Sequence, residues 1–249
     1  MSSACLIIIG NEILSGRTQD LNLAFLGKRM NEIGIRLVEA RVIADDFETI
    51  INTLNECRNK YDHVFTTGGI GPTHDDITSA AVAEAFGLPL IRDPEAVALL
   101  CQHYANAEDL NEQRLKMCEV PEGAILVDNP ISKAPGYQIG NVFVLAGVPR
   151  IMQAMYEALK ERLIPGKPMK SRTIVAFMGE GSLAKGLGDV QNAHSETEIG
   201  SYPFIRNGKL GTALVLRGAD QDALNEATEA VTELVSGFDV EHFEESSAE

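Results

Sequence analysis

The stretch Thr66-Thr-Gly-Gly-Ile-Gly-Pro-Thr-His-Asp-Asp-Ile-Thr78 decides the fold that the rest of the chain has to fit. Residues 61–66 lead into it as a predicted strand with a β-branched end, and Thr78–Phe86 follows it as a predicted helix that ends at Gly87. Glycines permit positive φ and a close approach of the backbone to a ligand. Free N–H groups in such a turn, together with the N-terminus of the next helix, form an anion site. The loop therefore predicts a phosphate-handling domain.

Two adjacent carboxylates in this loop, Asp75 and Asp76, complicate that interpretation because they would repel a phosphate. A divalent cation that is held by at least one of them and bridges to phosphate oxygens would remove the conflict. The alternative is structural: residues 68–71 form a turn, and Asp75 or Asp76 caps the following helix. The loop matches neither the Walker A sequence nor the G-x-G-x-x-G fingerprint.

The segments on both sides of the loop alternate between strand and helix patterns. Residues 4–9 form a continuous apolar run, which is typical of a strand buried on both faces of a parallel sheet. Residues 93–118 predict one amphipathic helix that Asp93 caps. Further helices are predicted at 20–33, 47–58 and 149–163, and further strands at 35–44, 124–127 and 142–145. This order predicts a parallel sheet covered by helices on both faces.

A domain boundary is predicted at Pro165-Gly-Lys-Pro-Met-Lys170, because two prolines and a glycine in six residues do not continue a helix. We assign residues 1–165 to the phosphate-handling domain. Residues 172–238 form a small α+β domain, with predicted strands at 172–178 and 211–216 and a predicted helix at 219–236. Residues 239–249 are an acidic tail, which we expect to be disordered from residue 241.

Two further loops carry carboxylates at the same predicted edge of the sheet. Glu12 follows the first strand in Gly10-Asn-Glu-Ile-Leu-Ser-Gly16, and Asp45-Asp46 follows the second. Capping of the next helix explains one of these aspartates, and Glu12 can equally be a loop residue in solvent. Three strand ends that carry carboxylates nevertheless favour a shared site. The candidate catalytic residues are Asp76, Asp45 and Glu12, and the candidate metal ligands are Asp76, Glu12 and Asp75.

The last two loops at this edge are rich in proline and glycine. They are residues 129–137, which include Lys133, and Ala146-Gly-Val-Pro149. Lys133 can contact a phosphate as a point charge, or both loops are merely stiff connections. At the start of the first predicted helix, capping accounts for either Asp20 or Asn22 and leaves the other unexplained. The candidate phosphate- or ligand-binding residues are Thr67, Gly68, Gly69, Gly71, Thr73, Asn129, Lys133 and Gly136.

Composition excludes several classes of function. The chain has 249 residues, 36 acidic and 21 basic, and a net charge of −15, so we expect no binding of nucleic acid or of an anionic membrane. The four cysteines lie far apart in sequence, which argues against disulfides and a zinc site. We see no signal-peptide pattern and no apolar run long enough to span a bilayer. We therefore expect a cytoplasmic protein.

These motifs resemble a known family. The loop that ends at Thr78 resembles the signature of the molybdopterin-binding (MoaB/Mog-like) domain family. Four segments resemble, more narrowly, the N-terminal part of competence/damage-inducible protein A (CinA): Gly10-Asn-Glu-Ile-Leu14, the loop at 68–78, Asn129-Pro130 with Ala134-Pro-Gly136, and Gly147-Val-Pro149. Glu198-Ile-Gly-Ser-Tyr-Pro203 is similar to that family's small KH-like second domain. The resemblance covers the chain to about residue 237 and does not include the amidase domain often found in that family.

The resemblance implies a three-layer α/β/α fold with a mostly parallel sheet, a smaller α+β domain and a homo-oligomer. It implies two activities: binding of molybdopterin or its adenylylated form, and metal-dependent hydrolysis of the pyrophosphate in a dinucleotide such as ADP-ribose or FAD. In the Mog-like pattern an Arg-Asp pair stands where this sequence has Asp75-Asp76, so the family's essential aspartate corresponds to Asp76 and its second acid to Asp45. The missing arginine favours metal handling over pterin adenylylation.

Two departures from the CinA pattern indicate a drift in substrate preference. Ala146 stands where the family usually has proline, and Ser132-Lys133 stands where it usually has Gly-Thr. The small domain also differs from nucleic-acid-binding KH domains, because Gly179-Glu-Gly181 is not a G-x-x-G loop and its surroundings are not basic. We therefore expect that domain to mediate packing or assembly and not to bind RNA.

We favour a metal-dependent hydrolase of a nucleoside-diphosphate-linked compound, with Mg²⁺, Mn²⁺ or Co²⁺ as its cofactor. Asp76, with help from Glu12 or Asp45, would hold the ion, and backbone N–H groups of residues 68–71 would stabilise the developing charge. One alternative is a molybdopterin-binding or molybdopterin-adenylylating protein. The other is a noncatalytic regulatory module that keeps the pocket. In each case the partner is a small phosphorylated nucleotide or a pterin ligand.

Overall fold

A computed structural model of the chain describes residues 2–104 and 110–245. The chain divides into two compact units between Gly166 and Lys167, which lie inside the predicted boundary stretch. Each unit has its own sheet and its own apolar core.

The first unit is built on a six-stranded sheet. Its strands, in chain order, are β1 (Ser2–Ile9), β2 (Ile35–Ile43), β3 (His63–Thr67), β6 (Ile125–Val127), β7 (Gly136–Ile139) and β8 (Val142–Leu145). The spatial order is β2-β1-β3-β8-β7-β6, and only the pairs that involve β7 are antiparallel. A separate antiparallel pair joins β4 (Leu90–Arg92) to β5 (Glu119–Pro121). The mostly parallel sheet confirms the predicted fold class.

Seven helices are described in this unit. They are α1 (Asn11–Leu14), α2 (Asn22–Glu32), α3 (Phe47–Lys60), α4 (Thr78–Phe86), α5 (Pro94–Cys101), α6 (Glu112–Leu115) and α7 (Pro149–Leu159). Short 3-10 turns follow α6 and α7 at Lys116–Cys118 and Lys160–Arg162.

Side chains on opposite faces of β1 enter different cores. Leu6 and Ile8 pack with residues of α2 and α7, whereas Ile7 and Ile9 pack with residues of α3 and α4. Alternate residues of a strand point to opposite faces of its sheet, so the continuous apolar run serves both cores. The sheet is therefore the middle of three layers, with helices on each side.

The single helix predicted over residues 93–118 is wrong. Asp93 caps α5 as predicted, with its side chain accepting from the N–H of Ala96 at 2.9 Å, but α5 ends at Cys101. A new helix, α6, begins after Asn111, whose side chain accepts from the N–H of Arg114 at 3.0 Å. A second capping residue inside an apolar periodic stretch thus starts a second helix. Residues 105–109 lie outside the described residues.

The second unit is a four-stranded antiparallel sheet with two helices. Its elements are β9 (Lys170–Ala176), α8 (Glu180–Ala193), β10 (Glu198–Arg206), β11 (Lys209–Gly218), α9 (Gln221–Ser236) and β12 (His242–Glu245). The strand order is β10-β11-β9-β12, and the helices pack with the sheet in one core. An Asn207-Gly208 turn with positive φ at both residues joins β10 to β11, as a two-residue hairpin requires.

Three elements of the second unit were not predicted: α8, β10 and β12. Strand β10 carries Gly200 and Pro203 in its interior, where both residue types are unusual. Helix α8 carries three glycines, which weaken its helical pattern, and an added Cβ at Gly186 would lie 2.4 Å from Cδ1 of Leu234 on α9. The acidic tail is not disordered at residues 242–245, because these residues pair with β9 as strand β12.

Three buried thiols and one exposed thiol are free. Cys5 on β1 and Cys57 on α3, distant in sequence, lie with their Sγ atoms 3.5 Å apart. Among the described residues, no helix combines the length and the apolar character needed to cross a membrane.

Candidate functional site

The carboxyl ends of β1, β2, β3 and β8 open into one cavity of about 640 Å³. Ligands of open α/β sheets bind at this edge. The cavity brings together eight of the predicted site residues: Glu12, Asp45, Gly68, Gly69, Gly71, Asp75, Asp76 and Asn129. Much of the remaining lining is apolar, including Ile70, Tyr104, Met117, Pro135, Val148 and Met155. The cavity lining therefore combines four carboxylates with a large apolar part.

The other four predicted residues lie outside the described lining. Thr67 is buried at the end of β3, and its hydroxyl has no hydrogen-bond partner among the described residues. Gly136 lies in β7, where an added Cβ would be 2.5 Å from the carbonyl oxygen of Val144. Lys133 has positive φ and donates its backbone N–H to the carbonyl of Asn129. Thr73 contacts the site through hydrogen bonds that are described below.

Main-chain atoms form the floor of the cavity. Gly68 has φ +103°, and an added Cβ would lie 2.1 Å from the carbonyl oxygen of Ile9. An added Cβ at Gly147 would lie 3.2 Å from Cα of Gly68. The N–H of Gly68 donates to the carbonyl of Leu145 at 3.2 Å. The prediction that this N–H is free to bind a phosphate is therefore wrong. The N–H groups of Gly69 and Gly71 have no partner among the described residues, so they can donate to a ligand.

The turn into α4 does not use either aspartate as a helix cap. The N-cap residue is Ile77, which makes no side-chain cap. Thr78 instead ties the helix to the glycine loop, with its N–H donating to the carbonyl of Gly69 and its hydroxyl donating to the carbonyl of Gly68, each at 3.0 Å. The structural alternative for Asp75 and Asp76 is therefore wrong, and both carboxylates line the cavity.

Thr73 forms hydrogen bonds with both aspartates of the acidic loop, residues 72–77. Its N–H donates to Oδ2 of Asp76 at 2.8 Å, and its hydroxyl oxygen lies 2.5 Å from both Oδ1 of Asp75 and Oδ2 of Asp76. A hydroxyl donates only one proton, so these two carboxylates are held side by side with one shared donor. Hydrogen bonds from the Thr73 hydroxyl and from the backbone of Asp75 itself, with a smaller effect of the charge of Lys116, lower the pKa of Asp75 below its usual value.

The two aspartates after β2 have separate partners. Asp46 caps α3, accepting from the N–H of Thr49 at 2.9 Å and from its hydroxyl at 2.6 Å. Asp45 lines the cavity and accepts from the N–H of Asn11 at 2.8 Å. Glu12 lies over Gly10, where an added Cβ would be 2.7 Å from its carboxylate oxygens. The prediction that a cap explains one of the pair is confirmed, and it is Asp46.

The loop that follows β6 is organised around Asn129. Its side chain donates to the hydroxyl of Ser132 at 2.6 Å and to the carbonyl of Ala134 at 2.8 Å, and its Oδ1 accepts from the N–H of Ile131 at 3.1 Å. Asn129 therefore shapes the loop from within while one side of it faces the cavity. These bonds support the alternative of a stiff connection, and Asn129 is also part of the cavity lining.

Two residues that support the site were not identified from the sequence. Asn22 is buried and donates to the carbonyl of Gly147 at 2.9 Å, whereas Asp20 accepts from the N–H of Leu23 at the start of α2. Lys116 donates from Nζ to the carbonyl of Thr73 at 2.7 Å. Both contacts join segments more than 40 residues apart, and no local pattern signals such a pairing.

A metal ion fits this donor set only in part. Across residues 2–104 and 110–245, no three His, Cys, Asp or Glu side chains are grouped so as to hold a metal by themselves. Mg²⁺ and similar ions bind through one or two carboxylates and complete their coordination with water and substrate phosphates. Asp75 and Asp76, adjacent through Thr73, supply that pair of carboxylates. A metal cage made wholly of protein atoms does not fit the described residues.

Fold and site together define a three-layer α/β protein with a small-molecule cavity at the carboxyl edge of its sheet. Residues 5–169 match the family described as a probable molybdopterin binding domain, and the chain belongs to that family. Residues 168–243 match the middle domain of FAD synthase.

Similar proteins carry two kinds of name. The chain is 30% identical over 260 residues to a "Probable FAD synthase" of Caenorhabditis briggsae, covering 94% of this chain and 50% of that protein. It thus spans about half the length of the relatives named as FAD synthases. A "CinA-like protein" of Salinibacter ruber is 30% identical over 249 residues, covering 95% of this chain and 60% of that protein. The crystal structure of CinA from Thermoplasma acidophilum, described as of unknown function, is 36% identical with a TM-score of 0.62, over 66% of this chain and 98% of that one.

Proposed function

We propose that the protein hydrolyses the pyrophosphate bond of a nucleoside-diphosphate-linked compound, of the ADP-ribose or FAD type, with a divalent metal ion. The observation that carries this proposal is the meeting of Glu12, Asp45, Asp75 and Asp76, from three strand ends, in one cavity with a main-chain floor. Four carboxylates repel an anionic substrate unless a cation lies between them. Four carboxylates would weaken the binding of a phosphate at a site that holds no metal ion.

The chain's own residues would divide the work as follows. Asp76 and Asp75, oriented by Thr73, would hold the ion. A bound divalent ion polarises a phosphoryl oxygen and lowers the pKa of water. The N–H groups of Gly69 and Gly71 would stabilise charge that develops on the phosphoryl oxygens. Asp45, whose orientation Asn11 fixes, would accept a proton from the attacking water.

The comparisons support this substrate class. The match of residues 168–243 to the middle domain of FAD synthase, and relatives named as FAD synthases, associate chains of this kind with FAD, in which a pyrophosphate joins adenosine to riboflavin. The apolar part of the cavity, with Tyr104 and Met117, would accept a planar ring.

The second candidate function is binding of molybdopterin. The match of residues 5–169 to a molybdopterin binding domain favours it, and the same apolar lining would accept a pterin. The carboxylate at position 75 weighs against adenylylation, since it stands where the Mog-like pattern has an arginine that would hold phosphate.

The experiment that tests the hydrolase is a chromatographic assay. Purified protein is incubated with ADP-ribose, FAD or NAD, each with Mg²⁺, Mn²⁺ or Co²⁺, beside the variants Asp76→Asn and Asp46→Asn. Both variants remove one negative charge, but Asp46 lies at a helix cap, where asparagine serves equally well. We expect mononucleotide products that are lost in Asp76→Asn and kept in Asp46→Asn. No turnover with any metal would overturn the hydrolase, and tight binding of molybdopterin would then establish the second candidate.

Two further expectations remain predictions. The homo-oligomer is tested by sedimentation of the full chain. The cytoplasmic location is tested by fractionation of cells that produce it.

A further inference from the structure

We propose that Lys116 is a positioning residue that holds the acidic loop of the site in its working geometry. Its Nζ donates a 2.7 Å hydrogen bond to the carbonyl oxygen of Thr73, 43 residues earlier in the chain. Lys116 is only partly exposed and does not itself line the cavity. It therefore acts through Thr73, and this inference rests on the proposed function of the same site.

Thr73 is the right point of attachment for such a role. Its backbone N–H and its hydroxyl orient Asp76, and the same hydroxyl contacts Asp75. The carbonyl that Lys116 contacts also accepts a long bond of 3.4 Å from the N–H of Asp76. All the polar groups of Thr73 are thus engaged, and the charged donor from Lys116 is the one that comes from outside the loop.

The segment that carries Lys116 is itself anchored. Cys118 is fully buried, and its carbonyl accepts from the N–H of Asp93 at 2.9 Å. Asn111 caps the short helix that leads into the segment, and the neighbouring Met117 lines the cavity. Lys116 therefore connects a packed segment to the exposed loop that carries Thr73.

A purely electrostatic role for Lys116 makes the opposite prediction about metal affinity. Removing a cation whose charge acts on Asp75 would strengthen the binding of a divalent ion at that carboxylate. Loosening the loop would weaken it, because the two carboxylates would lose their shared orientation. The sign of the change in metal affinity therefore separates the two roles.

The test compares Lys116→Met, Lys116→Arg and Lys160→Met. Methionine keeps the apolar stem of lysine without its charge, and arginine keeps a charged donor. Lys160 follows the far end of α7 and pairs with Glu157 at 2.9 Å, so Lys160→Met changes the net charge equally away from the site. Mn²⁺ binding is measured by electron paramagnetic resonance without substrate. Amide hydrogen exchange is measured over residues 72–78, and kcat and KM for ADP-ribose are measured where the wild type turns over.

We expect Lys116→Met to weaken Mn²⁺ binding about tenfold, the equivalent of one charge-assisted hydrogen bond, and to speed exchange of the Thr73 and Asp76 amides by a similar factor. The activity loss should fall mainly on kcat at fixed Mn²⁺ and recover at higher Mn²⁺. Lys116→Arg should restore most of each property, and Lys160→Met should change none.

Unchanged or tighter Mn²⁺ binding in Lys116→Met would overturn the positioning role, as would unchanged exchange in the loop. These two measurements do not require turnover. Failure of the hydrolase reaction in the wild type would therefore count against the proposed function alone.

Discussion

Asp45 accepts a 2.8 Å hydrogen bond from the backbone N–H of Asn11, which joins the loop after β2 to the loop after β1. Its neighbour Asp46 faces a different partner and caps α3 through Thr49. Of these two adjacent aspartates, Asp45 lines the cavity and Asp46 caps a helix. This division can be tested residue by residue.

We predict that Asp45→Asn lowers hydrolysis at least tenfold and leaves the free energy of unfolding nearly unchanged, because an asparagine oxygen still accepts from Asn11. Asp46→Ala should do the reverse, costing about 1 kcal/mol of stability through loss of the cap with little effect on kcat. Urea unfolding and steady-state kinetics check both. Equal losses of activity in the two variants would show that Asp45 has no special role.

We predict that Gly68→Ala is far more destabilising than Gly123→Ala. Both glycines have positive φ, +103° and +82°, so alanine is strained at either position. That strain alone costs about 1–3 kcal/mol. At Gly68 the added Cβ would also lie 2.1 Å from the carbonyl of Ile9, whereas nothing lies within 4 Å at Gly123. We expect Gly68→Ala to lose about 4 kcal/mol or more, or to prevent folding. Similar stability of the two variants in urea would contradict the close contact.

We predict that Asn22→Ala lowers the free energy of unfolding by about 1 kcal/mol, because the part-buried hydrogen bond from the buried Asn22 side chain to the carbonyl of Gly147 is lost. Asn59→Ala is the matched control. Asn59 also donates its side chain to a backbone carbonyl, that of Asn55 at 2.7 Å, but the bond is exposed. Its loss should cost under about 0.5 kcal/mol. Equal losses of unfolding free energy in the two variants would show that the Asn22 hydrogen bond stabilises the protein no more than an exposed one.

We predict that acid weakens the fold through His63. Burial lowers the pKa of its imidazole from the usual 6.5, and the backbone of Ile164 and the charge of Asp62 oppose this only in part. The folded state therefore binds this proton more weakly than the unfolded state. The contribution is complete above pH 6.5 and is lost as the pH falls from 6.5 towards the folded pKa.

The measurement for His63 is urea unfolding between about pH 7.5 and about pH 5. His63→Gln should flatten the decline in stability over that range, and His103→Gln should not, because His103 is exposed. A wild-type decline that persists unaltered in His63→Gln would assign the acid sensitivity to other groups.

Local patterns predicted the glycine loop well because its parts are contiguous. A buried strand, a loop that needs positive φ at Gly68 and Gly69, and a helix starting at Thr78 follow one another without interruption. The carboxylates at three strand ends also converged as predicted, since parallel strands place their carboxyl ends at one edge of a sheet.

Contacts across long sequence separations could not be predicted in the same way. Lys116 lies in residues 93–118, which were predicted to form one long helix, and its partner Thr73 belongs to a loop 43 residues earlier. Asn22 looked like a candidate helix cap, although its side chain supports Gly147. Strand β12 was missed because its residues are acidic and gain order only by pairing with β9. In each case tertiary packing decides what the local pattern leaves open.

The main-chain floor under the cavity has a consequence for how such a protein changes over time. An added Cβ at Gly68 would lie 2.1 Å from the carbonyl oxygen of Ile9, and one at Gly147 would lie 3.2 Å from Cα of Gly68. Replacement is therefore restricted in this floor, most strictly at Gly68. The walls are free of that restriction, and Ala146 and Ser132, where this chain departs from the CinA pattern, both belong to the walls. Substitutions in the walls can therefore change which ligand the cavity accepts, while the main-chain floor that we propose as the phosphate-binding surface is retained.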